Sequence, residues 1–170
     1  MKSFKSFKNL IIEIRTKKIT ERHKTQVIKS KLRKMNLNEE HALDNQIPFL
    51  QKLGIKEILP VMVGNINSEE AYAYAKQFEN FQGVFVFSTD LSHFNEYYKA
   101  ISKDKLSISI IENIDIKSAD KIDACGIFPL LIFLHLAKLK GWKPKLLEYR
   151  NSGDITGDKS SVVGYASFYF

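Results

Sequence analysis

The 170 residues are 44% apolar and 26% charged, which supports one packed domain and excludes wholesale disorder. The formal net charge of +7 belongs to residues 1–38, where twelve Lys or Arg face only Glu13 and Glu21 for a net +10; the other 132 residues sum to −3. The single cysteine, Cys125, excludes an intrachain disulfide, and the longest apolar run, Ile127–Leu134, is far short of the ~20 residues a bilayer span needs.

A lone cysteine fits a reducing compartment, and no secretory signal precedes the first periodic segment, so a cytoplasmic protein with no membrane partner is expected. The basic segment 1–38 would attract phosphates, but its only aromatics are Phe4 and Phe7, which make no stacking platform. A solvated Lys-rich helix over Thr20–Met35 explains it better, and nucleic acid is not expected as a partner.

Leu10 to Ile14 reads as a short strand. A helix over Ala42–Leu53 must kink or restart at Pro48, and Glu57–Val63 reads as a strand with Pro60 near its start or at an edge. Asn67-Ser68-Glu69-Glu70 opens a helix whose Ala71, Tyr74, Ala75, Phe78 and Phe81 make one apolar face. The run from Gly83 to Ser88 predicts a strand buried on both faces, and about Asp104 to Glu112 is helical. Ile127–Lys140 is apolar nearly all round and ends at Gly141, a C-cap. Lys145–Tyr149 and Val162–Phe170 are strands either side of a turn rich in Asn, Gly and Asp. This alternation predicts an α/β fold with a layered, largely parallel sheet flanked by helices, and sites at the carboxyl ends of its strands.

Four places could carry chemistry. Asp90 and His93 lie three residues apart just after the predicted buried strand. His93 could bind a metal or move a proton with Asp90 beside it, or Asp90 could cap the next helix with His93 merely at the surface. Cys125 precedes the apolar helix, where a thiolate is a competent nucleophile or soft ligand, although a lone cysteine there also reads as a small buried hydrophobe. Glu39-Glu40-His41, with Asp44, Asn45 and Gln46, is a polar cluster entering a helix. Tyr149 to Lys159, containing Asn151 and Asp154, is long and polar for a simple hairpin. His23 and His135 read as solvated or structural. There is no P-loop, dinucleotide fingerprint, Cys-x-x-Cys site or nucleophile elbow.

Taken in order, these segments resemble one family. Glu40-His41-Ala42-Leu43-Asp44-Asn45-Gln46-Ile47-Pro48-Phe49 is similar to the E-H-x-[IL]-E-x-[QH]-[IL]-P-[FY] segment of the Memo-like proteins, called AmmeMemoRadiSam system protein B in prokaryotes. Leu59 to Gly64, Ser88 to His93, Ala124-Cys125-Gly126, Tyr149 to Ser160 and Val163 to Ala166 resemble its later blocks in the same order. The resemblance covers about residues 39–170 as a Memo-like α/β domain, with 1–38 as a separate basic segment. It implies a fold similar to the class III extradiol dioxygenases, which are non-haem iron enzymes.

By that resemblance the site is a metal pocket for iron or copper redox chemistry. Cys125 would be its sulfur ligand or reactive thiol, His93 its histidine with Asp90 as carboxylate partner, and His41, Asn151 and Asp154 would line the cofactor side. The family's two N-terminal histidine motifs, P-H-A-G-Y-like and G-P-S-H-like, do not occur in this sequence. The expectation is therefore an N-terminally truncated domain with a partial ligand set, His93 and Cys125, and weak or absent metal binding by this chain alone. Self-association through an uncovered sheet edge, or pairing with a missing N-terminal half, would follow. The alternative is a non-catalytic scaffold or remnant that binds a small molecule or a protein.

Overall fold

In the computed structural model the described residues are the backbone of Ile11–Ile12 together with residues 45–54 and 61–170. The chain divides into two compact units, residues 1–67 and 68–170. In the first, β1 (Ile11–Ile12) pairs antiparallel with β2 (Val61–Met62). Helix α1 (Ile47–Lys52) begins with Pro48 in its first turn, where the missing N–H costs nothing. The described part of the predicted helix starts at Ile47, while Ala42–Asp44 and Glu57–Pro60 lie outside the described residues, as do His23 and His41.

The second unit begins with α2 (Ser68–Phe78), which buries Ala71, Ala75 and Phe78 as its spacing predicts. The unit continues through β3 (His93–Asn95), α3 (Tyr97–Glu112), a 3-10 turn (Ile116–Lys121), α4 (Ile127–Lys140), β4 (Lys145–Asn151), the short α5 (Ser152–Thr156) and β5 (Val162–Tyr169). Glu96 caps α3 by accepting the Tyr98 and Lys99 amides, so the helix starts earlier than its apolar pattern alone suggests. Gly141 closes α4 at φ +67°, a left-handed position that favours glycine.

Helix α4 is apolar nearly all round because it is packed on more than one side. Leu130, Phe133, Leu134 and Ala137 meet Ile110 and Ile111 of α3, Ala119 of the 3-10 turn and Ile122 just after it. Toward α2, His135 shares a hydrogen bond with Ser68 (Nε2–Oγ 2.9 Å), and the Lys140 ammonium donates to the Glu79 carbonyl. Burial, then the charge of Lys138, lowers the pKa of His135, which is a packing residue. Phe85, Phe87, Phe133, Trp142 and Phe170 form a linked aromatic cluster beside this core.

Two expectations require correction. The sheet of the second unit has the order β3-β5-β4, and every strand pairing among the described residues is antiparallel rather than largely parallel. The segment between β4 and β5 holds one turn of helix and no crossover, so β5 folds back beside β4. The stretch from Gly83 to Ser88 lies in no strand ladder among the described residues. Phe85 and Phe87 pack inward while Val84 and Val86 face solvent, so the segment is not buried on both faces. No helix among the described residues is long and apolar enough to cross a membrane.

Leu134 is fully buried and Leu147 is exposed. Leu134→Ala is expected to cost about 2–5 kcal/mol in urea denaturation of the whole chain. Leu147→Ala should stay within about 0.5 kcal/mol.

Candidate metal centre

The segment from Thr89 to Asn95 is fixed along one edge by β5. The Leu91 amide donates to the Gly164 carbonyl and the Gly164 amide to the Ser92 carbonyl, each at 2.9 Å, and His93 lies opposite Val163. Phe94 then takes φ +57°, an uncommon conformation for a bulky residue, at a bulge in the pairing between His93 and Asn95. The Asn95 side-chain amide donates to the His93 carbonyl and supports this bulge.

The turn before α4 is held against the same segment. The Cys125 amide donates to the Asp90 carbonyl, and the Gly126 amide donates to Thr89 Oγ at 2.7 Å. A Cβ at Gly126 would lie 2.6 Å from that oxygen, so glycine is what lets the turn approach. Asp123 is used structurally: it pairs with Lys103 at 2.7 Å, and its amide donates to Ser107 Oγ on α3.

These two attachments bring Asp90, His93 and Cys125 together, with one ligand atom from each lying within 4.8 Å of the others. Asp90 Oδ2 is 3.6 Å from His93 Nε2, a distance for charge attraction but not for a hydrogen bond. The Cys125 sulfur lies 3.2 Å from Thr89 Oγ and 3.4 Å from the Asp90 amide nitrogen, which donates to it. The Asp90 amide is a donor to the sulfur, while the single Thr89 hydroxyl proton lies within reach of both the sulfur and the Asp90 carbonyl oxygen, 3.0 Å away. Cys125 is exposed, and Asp90 and His93 are partly so, which leaves the cluster open to solvent.

Sulfur, imidazole nitrogen and carboxylate oxygen suit a divalent transition ion. Ligands at bond lengths near 2.0–2.3 Å around one ion sit about 3.5 Å apart, so the side chains would close by roughly 1 Å to share it. The donor set fits such an ion and leaves a coordination position free.

Asn151 and Asp154, expected on the cofactor side, form the start of the loop between β4 and β5. Asn151 is buried at the end of β4. The Asp154 carboxylate accepts the Asn151 amide at 2.9 Å and the Tyr97 hydroxyl at 2.6 Å, tying the loop to the start of α3. The Lys159 ammonium stands 4.5 Å from the Tyr97 ring centre.

Sequence reasoning missed Tyr97 and Asp104, and it included Thr89, Tyr149 and Gly164 only within longer segments, with no role of their own. Asp104 carried a signal: it falls at helical spacing between Ala100 and the buried Ser107, Ile108 and Ile111, where a charge is out of place. Tyr165 also lies near the cluster. Burial, then the negative charge of Asp90, raises its pKa.

The second unit is thus α/β and brings three groups that could hold a metal ion together between a sheet-edge segment and a helix-entry turn. The chain belongs to the Memo-like protein family, whose model matches residues 12–169. It is 37% identical over 145 residues to a MEMO1 family protein of Sulfolobus acidocaldarius, covering 77% of this chain and 51% of that protein. A MEMO1 family protein of Aquifex aeolicus is 34% identical over 148 residues, covering 77% and 54%, and one of Methanobrevibacter smithii is 37% identical, covering 77% and 51%. The chain thus spans about half the length of the curated relatives it matches.

Two outcomes follow from this geometry. Thr89→Val removes a hydroxyl beside the sulfur and the acceptor for Gly126, and should slow alkylation of Cys125 by iodoacetamide severalfold at neutral pH; an unchanged rate would show that Thr89 does not support the thiolate. The Tyr97 hydroxyl foremost, then the Asn151 amide, holds the pKa of Asp154 below its ordinary 3.8. A folded-state pKa below the unfolded one gives stability that is present above the unfolded value and lost as pH falls through the folded one. The stability gap between the wild type and Asp154→Asn should therefore be open at pH 7 and close below about pH 4 in urea titrations.

Proposed function

We propose that Asp90, His93 and Cys125 form an open three-ligand site for a redox-active divalent metal, with iron or copper as the class the family resemblance implies. The observation that carries this reading is the convergence of oxygen, nitrogen and sulfur ligand atoms within 4.8 Å on two separately anchored segments. A bound iron or copper ion would supply electron transfer or oxygen chemistry. The chain's own part is to present the Cys125 sulfur, the His93 imidazole and the Asp90 carboxylate while leaving a side open for a small ligand. Three ligands, one exposed and two half-buried, predict modest affinity, below that of a closed four-ligand site. A redox thiol of this kind suits the reducing cytoplasm.

One observation favours a second reading, a binding scaffold without metal. The Cys125 sulfur already has partners in the Thr89 hydroxyl and the Asp90 amide, so it is satisfied with no ion present.

Anaerobic equilibration with ferrous iron, copper and zinc in turn, followed by measurement of metal bound per chain, separates the two readings. The metal reading predicts near one ion per chain, falling at least about tenfold in affinity in Cys125→Ala and in His93→Ala. Folded protein with no bound ion, or binding unchanged in both variants, would leave the scaffold.

A further inference from the structure

Asp104 is fully buried in the middle of α3 and belongs to none of the chemistry described above. Its Oδ1 accepts the Ser92 amide at 2.9 Å and its Oδ2 accepts the Tyr149 hydroxyl at 2.7 Å. Among the described residues no cation pairs with it; the neighbouring Lys103 is committed to Asp123. A carboxylate out of water and without a counter-ion is costly, even with two neutral donors, and an apolar residue would pack α3 more cheaply.

Its two partners say what that cost is set against. Ser92 stands between Asp90 and His93, and its amide is the one that α3 grips. Tyr149 comes from β4, so the carboxylate joins a helix, a strand and the donor-bearing segment at one point. Gly164 on β5 is built around it: a Cβ there would fall into the Asp104 carboxylate, and the same glycine makes both backbone hydrogen bonds to Leu91 and Ser92. Burial first, then the hydrogen bond to Asp104, raises the pKa of Tyr149, so its hydroxyl stays a donor through the neutral range.

We propose that Asp104 is a positioning residue: gripped by Tyr149 and seated against Gly164, it holds the Ser92 amide and thereby fixes Asp90 and His93 relative to Cys125. The inference rests on the metal reading for its metal readout, but not for its readouts on the free protein. Groups behind metal ligands typically shift affinity by about 10–100-fold when removed, and this one acts through the backbone between two ligands.

The test uses the full chain, with cobalt(II) as a spectroscopic probe of the thiolate-containing site. Asp104→Ala should lose about tenfold or more in cobalt affinity and shift the sulfur-to-cobalt band. Asp104→Asn keeps an acceptor for the Ser92 amide and should recover most of the loss, and Tyr149→Phe should fall between the two. Phe78→Ala, which opens the core at α2, should leave the band and affinity of the folded chain unchanged. Wild-type affinity and band in Asp104→Ala would overturn the proposal. Equal losses in Asp104→Ala and Phe78→Ala would also overturn it, because general loosening would then suffice. If Asp104→Ala does not fold, Tyr149→Phe decides by the same two readouts. If the wild type binds no cobalt, the metal reading falls alone. Positioning is then judged by the His93 ring resonances and the Cys125 alkylation rate, which must both change in Asp104→Ala or Tyr149→Phe; unchanged values would overturn it.

Discussion

The carboxylate of Asp104 sits where three parts of the second unit meet, and most of what is specific about the candidate site depends on that meeting. Helix α3 reaches through it to the Ser92 amide, and β4 reaches it through the Tyr149 hydroxyl. Gly164 gives it room and holds the other side of the same segment. Without the amide contact, the Asp90–His93 stretch would be held by the Cys125–Gly126 turn at its start and by β5 along an edge already interrupted by the bulge at Phe94. A buried polar contact of this kind specifies one arrangement more than it adds stability.

Cys125 is placed by a different device. Its turn is bound to the Thr89–Asp90 backbone by the Cys125 and Gly126 amides, and the apolar helix that follows is anchored deep in the core. The sulfur therefore belongs to the rigid helix side, while the imidazole and carboxylate belong to the sheet edge. Two anchored bodies facing each other across an open gap can hold an ion or a small ligand by closing about 1 Å. The same separation makes the geometry sensitive to anything that loosens Ser92.

Much of this was legible in the sequence where one residue pattern has one physical solution. The spacing of Ala71, Ala75 and Phe78 marks a one-faced helix, and the unbroken apolar run from Ile127 marks a helix packed on several sides. Strand direction was not legible, because alternation along a strand says nothing about which neighbour it joins; β5 returned beside β4 and made the sheet antiparallel. The Gly83–Ser88 run misled because four apolar side chains in a row look doubly buried, although only the two phenylalanines turn inward. At the site, His93, Asp90 and Cys125 were visible as residue types and through the family resemblance. Thr89 fell inside the same segment but its role was not legible, because a loop threonine has no pattern of its own. Asp104 was visible only as a charge on a helix face that should have been apolar.

Whether Asp90, His93 and Cys125 share one ion is read by X-ray absorption at the zinc edge of the zinc-loaded chain, which reports the ligand atoms themselves. A shared ion gives one sulfur near 2.3 Å together with imidazole nitrogen and oxygen near 2.0–2.2 Å, with the sulfur shell absent in Cys125→Ala. A first shell of nitrogen and oxygen alone in the wild type, or a sulfur shell without imidazole, would contradict it.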